Sequence, residues 1–229
     1  MLKHGDARRA SAVTDVLAGL GYPAPRYVVV GRGYSLQELL PGEPLPVWEP
    51  LAHDIIDRVL ELNAFQADRA RGEADWPGSI VRPVLDGLKP WVDIDGMRAH
   101  SRGAERVLAR CQEIARRHSQ HLPPPVDIVH FDFSPDNVLA VGGSITGVVD
   151  WEGVQAGDRL FDLATFLFYS VGATPLRDHI VATSGEATLA VYLASLCVRQ
   201  TAWSIRFHGA EAGDAMVARC TALLDELAL

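Results

Sequence analysis

Residues 128–153 read "IVHFDFSPDNVLAVGGSITGVVDWEG" and decide the fold prediction for this chain. The short apolar runs "IVH" and "NVLAV" flank the polar segment "FDFSPD", and a third run, "ITGVVD", follows the turn "GGS". Apolar runs of this length, bounded by turn residues, predict short strands. The loop between the first two strands would then hold His130, Asp132 and Asn137 at the mouth of a cleft, and Asp150 would end the third strand.

The spacing of these polar side chains is typical of a site for phosphoryl transfer. Asp132 lies two residues after His130, and Asn137 lies five residues after Asp132. Phosphoryl transfer needs a carboxylate to accept a hydroxyl proton, and Mg²⁺ prefers oxygen ligands such as an amide and a second carboxylate. The order His-x-Asp, four residues, Asn, and then Asp at a strand end matches the protein-kinase catalytic loop and its metal-binding aspartate. Asp136, which follows Pro135, is better explained as a turn residue.

The segments "HFDFSPDNVL" and "GVVDWEGVQAGDRLFDLA" together resemble the signature of the aminoglycoside phosphotransferase family. That family is related to choline kinases and shares the protein-kinase-like fold. Upstream, "VLAGLGYPAPRYV" is similar to the family's helix followed by a Pro-x-Pro strand entry, and "LQELLPGEPL" is similar to its hinge between lobes. The resemblance covers most of the chain and is most specific from His130 to Asp162.

The resemblance implies a role for each polar residue of the central stretch. Asp132 would be the catalytic base, and Asn137 and Asp150 would be the magnesium ligands. His130 would support the site by orienting the loop through hydrogen bonds. The implied cofactors are therefore Mg²⁺ and a phosphate donor, ATP or GTP.

Four further residues near this stretch receive no catalytic role. Phe131 and Ser134 stand where family members often carry Gly and His, and we expect them to tune the loop and the acceptor pocket. Asp158 and Asp162 look like the family's structural aspartates.

The resemblance also implies a nucleotide site near the amino terminus. The backbone of Glu38, Leu39 and Leu40 would contact the adenine, and Lys3 lies about where a phosphate-binding lysine is expected. A complete member would begin with several strands and a loop over the phosphates, whereas this chain opens at "MLKHGDARRASAV". The resemblance therefore implies a truncated amino-terminal lobe. From this truncation we expect low activity of the chain alone and self-association through the incomplete small lobe.

The predicted fold class is α+β and protein-kinase-like. Residues 1–42 would form a reduced small α/β lobe with the hinge, and residues 43–229 a mainly helical lobe in which short strands carry the catalytic loop. Apolar residues at helical spacing predict helices at 10–20, 49–71, 103–119, 159–170 and, in two pieces, 186–227, with a loop region up to about residue 92.

Composition excludes several classes of protein. The 229 residues carry 21 Lys and Arg against 29 Asp and Glu, a net charge of −8, without a dense basic run, which argues against nucleic-acid binding. Cys111, Cys197 and Cys220 are too widely spaced for a CxxC metal site and odd in number, which favours a reducing, cytoplasmic setting. Neither a signal peptide nor a run of ~18 apolar residues is present in the sequence, so no membrane partner is expected.

Three functions remain open at this point. The first is a kinase for a hydroxyl of a small molecule, with an aminoglycoside or another amine-bearing compound as candidate acceptor; Glu152, Glu211 and Asp214 are candidate contacts for the amine. The second is a degenerate kinase fold that binds without catalysis. The third is a phosphoesterase with His130, Asp132 and Asp150 as ligands of a transition metal, which would require more histidines to converge.

Overall fold

A computed structural model describes residues 1–4, 7–71 and 74–227. These residues form two compact units. The first comprises Met1–Ala74 and Pro124–Ile180, and the second comprises Asp75–Pro123 and Val181–Leu229. Helices and short antiparallel strands both occur, so the predicted α+β class is confirmed.

The elements are as follows. The helices are α1 (Arg8–Ala18), α2 (His53–Ala64), α3 (Trp76–Leu85), α4 (Ile94–His100), α5 (Arg102–His118), α6 (Leu160–Tyr169), α7 (Thr174–Trp203) and α8 (Ala210–Glu226). The strands are β1 (Leu2–His4), β2 (Tyr27–Gly31), β3 (Tyr34–Gln37), β4 (Glu43–Pro44), β5 (Asp127–Val129), β6 (Val138–Val141), β7 (Ser144–Val148) and β8 (Gln155–Gly157).

A three-stranded antiparallel sheet in the order β1-β3-β2 carries Lys3. Lys3 lies opposite Ser35, and Tyr27 lies opposite Gln37. Directly opposed residues, and residues two apart on one strand, lie on the same face of a sheet. Lys3 therefore shares a face with Ser35 and Gln37, both of which are buried. The sequence analysis did not predict β1, because three residues are too few to show an alternating pattern.

The quoted stretch folds as three strands with the polar loop between the first two. Strands β6 and β7 form a hairpin that extends the pair β4–β6, and β5 pairs with β8. Gly142 and Gly143 make the hairpin turn with φ of 56° and 81°, a conformation that suits glycine. The backbone N–H of Val149 donates to the carbonyl of Asn137 (2.9 Å). This bond fixes the end of one strand beside the start of the other.

One helix boundary and one loop predicted from the sequence are wrong. Helix α2 ends at Ala64 rather than near residue 71, and Asp68 adopts a left-handed φ of 54° that a continuing helix does not allow. The expected loop before residue 92 contains α3, which starts at the N-cap Asp75, whose carboxylate accepts the Gly78 N–H (2.9 Å). Pro77 lies in the first turn of α3, where a backbone N–H has no carbonyl partner within the helix. The N–H that proline lacks therefore costs the helix no hydrogen bond.

The second unit is built mainly from helices. Trp76 of α3 lies fully buried, and its indole N–H donates to the hydroxyl of Tyr192 on α7 (3.3 Å). Cys111, Cys197 and Cys220 are all buried free thiols. The helical span Thr174–His208 is long and apolar enough to cross a membrane, but 61% of its most apolar window is buried within the protein. Core helices pass the same test, so the span is weak grounds for a membrane assignment.

Candidate active site

His130 lies at the buried start of the loop between β5 and β6. Its Nδ1 accepts the backbone N–H of Asp132 (3.3 Å), so Nε2 carries the proton and donates to the carbonyl of Val149 (2.8 Å). Burial lowers the pKa of His130 from 6.5 to about 4, which keeps the imidazole neutral at neutral pH. Both ring nitrogens are engaged with the backbone, so His130 has the contacts of a loop-orienting residue and not those of a metal ligand.

Asp132 and Asn137 are brought together within the loop. The Asn137 amide nitrogen donates to the carbonyl of Asp132 (2.9 Å) and to its carboxylate Oδ2 (3.3 Å), with Ser134 Oγ at 3.4 Å. A single 3₁₀ turn, Pro135–Asn137, holds the amide in this place. Asp132 is exposed. Since the nitrogen faces Asp132, the amide oxygen of Asn137 is the atom that can serve a cation.

Asp150 follows β7 in a left-handed conformation, with φ of 69° and ψ of 51°. Lys3 Nζ lies 2.7 Å from Asp150 Oδ1 and 3.1 Å from Glu152 Oε2. The three side chains form a carboxylate–ammonium cluster that joins β1 to the end of β7. The structure thus brings together Lys3, which the sequence analysis assigned to the nucleotide site, and Asp150, which it assigned to the metal.

The charges of this cluster are mutually dependent. Burial alone would lower the pKa of Lys3, but hydrogen bonds and charges from Asp150 and Glu152 outweigh it, so the pKa is raised. A hydrogen bond with Glu152, aided by Lys3, lowers the pKa of Asp150. Burial and the neighbouring Asp150 raise the pKa of Glu152. Asp150 is therefore the carboxylate that holds its negative charge more firmly.

The oxygen donors here fit a hard divalent cation. Asp150 and Glu152 offer carboxylate oxygens and Asn137 an amide oxygen, and Mg²⁺ is usually held by one or two carboxylates together with phosphate oxygens and water. In the described part of the chain, no group of three or more His, Cys, Asp and Glu side chains is arranged to hold a metal ion. Oxygens from a bound nucleotide would therefore have to complete the coordination.

The sequence analysis gave Glu152 as a candidate contact for an amine. In the structure its carboxylate contacts Lys3. The pattern Asp-x-Glu, one residue after an apolar strand, is the signal from which a paired carboxylate site could have been predicted. Asp214, another candidate for the amine, pairs with His100 at 2.9 Å within the second unit.

The segment Glu38 to Leu40 lies between β3 and β4. The N–H of Glu38 donates to the carbonyl of Arg26 (2.8 Å), Leu39 is 79% exposed, and Leu40 packs on Gly147. Their described contacts are to these neighbours rather than to Lys3 or Asp150. Just before them, Gln37 exchanges two backbone hydrogen bonds with Met1, at 2.6 and 3.0 Å, so the segment starts beside the strand that carries Lys3.

Asp162 of α6 is buried and anchors the backbone at the start of the catalytic loop. Its Oδ2 accepts the N–H of His130 (2.7 Å), and its Oδ1 accepts the N–H of Phe131 (2.9 Å). Phe131 has a left-handed φ of 74°, which is unfavourable for a bulky residue, and its ring stacks on Phe161 at 5.2 Å. The buried carboxylate thus stabilises the backbone turn that precedes Asp132.

An open cleft of about 620 Å³ adjoins this cluster in the first unit. It is lined by Arg8, Arg9, Phe131, Glu152, Gly153, Val154 and Gln155. Arg9 Nη1 lies 3.5 Å from the carbonyl of Val154. The lining combines two cations with one carboxylate, that of Glu152, which the sequence analysis gave as a candidate contact for an amine.

Solved structures with the same fold are numerous. The chain superposes on a thermostable mutant of aminoglycoside phosphotransferase APH(4)-Ia in complex with ADP and hygromycin B, with a TM-score of 0.72 and 18% identity over 96% of this chain and 82% of that one. For a choline kinase from Cryptosporidium parvum Iowa II the TM-score is 0.63, with 14% identity over 98% and 79% of the two chains. For a putative fructosamine-3-kinase from Thermobifida fusca it is also 0.63, with 18% identity over 97% and 82%. These matches confirm the predicted kinase-like fold.

Similarity in sequence is more restricted. Homoserine kinase from Zymomonas mobilis subsp. mobilis is 33% identical over 76 residues, which are 33% of this chain and 23% of that enzyme. The matched part is therefore under a quarter of the length of this curated relative. The model of the phosphotransferase enzyme family, APH, matches residues 2–200. Because that match spans most of the chain, the protein belongs to the APH phosphotransferase family.

Proposed function

We propose that this protein is an ATP- and Mg²⁺-dependent kinase that phosphorylates a hydroxyl group of a small molecule. The observation that carries the proposal is that His130 hydrogen-bonds the backbone of Asp132 and of Val149, and so holds two groups of side chains beside each other. One is the pair Asp132–Asn137, and the other is the cluster of Lys3, Asp150 and Glu152. A kinase requires both a proton acceptor and a phosphate-binding cation site, and these residues have the chemical character for the two tasks.

In the proposed reaction the acceptor hydroxyl approaches the exposed carboxylate of Asp132. The carboxylate accepts the hydroxyl proton as the acceptor oxygen forms a bond to the γ-phosphorus of ATP. The bond between that phosphorus and the β,γ-bridging oxygen breaks, and ADP leaves. Asn137 donates to the Asp132 carboxylate and keeps it oriented during the transfer.

The remaining residues of the site bind and neutralise the phosphates. Asp150, Glu152 and the amide oxygen of Asn137 would hold Mg²⁺, which when bound offsets the negative charge of the phosphoryl group. Lys3 would contact the phosphates, and the backbone of Glu38 to Leu40 would contact the adenine. In this proposal residues 1–42 form the nucleotide part of the protein, and residues 43–229 carry the catalytic and acceptor-binding parts.

The test is a transfer assay on the purified chain. ADP release would be followed with ATP and Mg²⁺ against hygromycin B, choline, a fructosamine and homoserine, which represent the substrates named for the similar proteins. Acceptor-dependent ADP release, with one phosphate added per acceptor by mass spectrometry, supports the proposal. A folded protein that binds Mg²⁺–ATP but transfers phosphate to none of these acceptors would instead favour the degenerate, binding-only function.

A further inference from the structure

A buried chain of amide side chains leads from helix α2 to the catalytic loop. Asn63 lies at the end of α2 and Gln66 lies two residues beyond it, and neither side chain is accessible to solvent. The Gln66 Nε2 donates to Asp162 Oδ2 at 2.6 Å, and the Asn63 Nδ2 donates to Gln66 Oε1 at 2.9 Å. Gln66 is therefore a side-chain donor to the carboxylate that also receives the backbone of His130 and Phe131.

Asn63 is itself held on both sides of its amide group. Its Nδ2 also donates to the carbonyl of Arg159 (2.8 Å), and Arg159 Nη1 donates to its Oδ1 (2.7 Å). Each amide nitrogen and each amide oxygen of Asn63 and Gln66 has a hydrogen-bond partner, which defines the orientation of both amides. The backbone carbonyl of Gln66 further accepts the N–H of Ile128 in β5 (3.0 Å).

We infer that Gln66, oriented by Asn63, is a positioning residue for the phosphoryl-transfer loop. It fixes the Asp162 carboxylate in the rotamer that receives the N–H groups of His130 and Phe131. This inference rests on the proposed kinase function, because the loop matters for turnover only if Asp132 acts there.

The geometry gives the reason for such a residue. Phe131 is held in a left-handed conformation, and a bulky residue adopts it only where surrounding contacts compensate the strain. Two of those contacts are the bonds to Asp162, a carboxylate at which burial raises the pKa to about 7 while the donors from His130, Phe131 and Gln66 lower it. Loss of the Gln66 donor would leave the carboxylate held only by the two backbone N–H groups, and the peptide groups next to Asp132 would be anchored less firmly.

Gln66→Met tests the inference, because methionine has similar length and lacks the donor. We expect kcat to fall by between about 10- and 100-fold, the effect of losing a hydrogen bond to a charged group. The KM for ATP and for the acceptor should stay within about twofold, since neither ligand contacts Gln66 in the proposed reaction. Amide hydrogen exchange of the peptide covering His130 and Phe131 should accelerate by at least tenfold.

Gln112→Met is the matched control. Gln112 is also a buried glutamine that donates to backbone carbonyls, those of Val84 (3.1 Å) and Leu85 (3.2 Å), but it lies in the second unit and outside the catalytic loop. We expect it to lower thermal stability by an amount similar to Gln66→Met and to leave kcat and the exchange of the loop unchanged. Equal effects of the two substitutions on kcat would overturn the inference.

A second variant covers the case in which Gln66→Met fails to fold. Asn63→Asp keeps the acceptor for the Arg159 guanidinium but removes the donors to Gln66 and to the Arg159 carbonyl, and we expect the same changes in smaller size. Unchanged exchange at His130 and Phe131 in whichever variant folds would refute the positioning role. Because exchange is measured without substrate, this readout remains decisive even if the wild-type protein transfers phosphate to no acceptor, an outcome that would count against the proposed function alone.

Discussion

Replacement of Asp132 by asparagine should separate catalysis from folding most clearly. The substitution keeps the shape of the side chain and removes its charge and its capacity to accept a proton. The lost ground-state contact is weak, because the Asn137 donor lies 3.3 Å from an exposed carboxylate and the stronger bond, at 2.9 Å, goes to the Asp132 backbone. We therefore expect the free energy of unfolding to change by less than about 1 kcal/mol.

The effect on turnover should be much larger. General-base assistance is typically worth at least about 10²-fold, which corresponds to about 2.7 kcal/mol of activation free energy. We expect kcat for Asp132→Asn to fall by that factor or more, while calorimetry with Mg²⁺–ATP gives an affinity close to that of the wild-type protein.

Asp136→Asn provides the control for this prediction. It makes the same change of charge in the same loop, at an exposed turn residue to which we assign no chemistry. Its turnover should equal that of the wild-type protein. A turnover of Asp132→Asn near the wild-type value, or an equal loss in both variants, would refute the reasoning.

Three further substitutions test the charged cluster and the buried histidine. Asp150→Ala should abolish Mg²⁺-dependent nucleotide binding, since a cation ligand is lost; calorimetric titrations with and without Mg²⁺ that match those of the parent would contradict the assignment. Lys3→Met should lower turnover. It should also tighten Mn²⁺ binding in the absence of nucleotide, because the carboxylates of Asp150 and Glu152 lose their ammonium partner; the gain should be roughly fivefold, which corresponds to the free energy of one partly exposed ion pair. An unchanged Mn²⁺ affinity would count against the assignment. His130 has a pKa of about 4 in the folded protein and 6.5 as its ordinary value, so the unfolded chain binds the extra proton first and stability is lost as pH falls from about 6.5 to 4. The stability advantage over His130→Gln should shrink by about 3 kcal/mol across that range in denaturant titrations, and a constant difference would show that the imidazole is not buried in its neutral form.

A second buried group, Asp162, changes protonation in the same pH range as His130. Burial raises the pKa of Asp162 to about 7. The contribution of this carboxyl group to the stability of the folded protein is therefore lost as pH rises from about 4 to 7, which is opposite in sign to the contribution of His130. The pH dependence of the wild-type protein alone would therefore mix two opposing contributions. Subtraction of the His130→Gln variant isolates the histidine.

The central stretch was predictable because its structure is local. Apolar runs alternating with Gly, Pro, Asp and Asn define strands and turns within a few residues, and the spacing from His130 to Asn137 follows from one loop. The α+β class and most of the long helices follow from the same kind of periodicity. The short helices α3 and α4 escaped prediction, because Pro and Gly mask the apolar pattern of α3 and the seven residues of α4 are too few to show one.

The remaining features depend on residues far apart in the chain. The sequence alone placed Lys3 beside a terminus, and only the pairing of β1 with β3 brings its ammonium to Asp150, 147 positions away. Gln66 and Asp162 are separated by 96 positions and meet only because α2 packs against α6. Local periodicity determines which segments become helices and strands, whereas contacts between charged or amide side chains arise from how those segments pack. The sequence by itself therefore determined which polar side chains share the loop, and the tertiary structure decided which distant residues hold the loop in place and pair with the charged groups beside it.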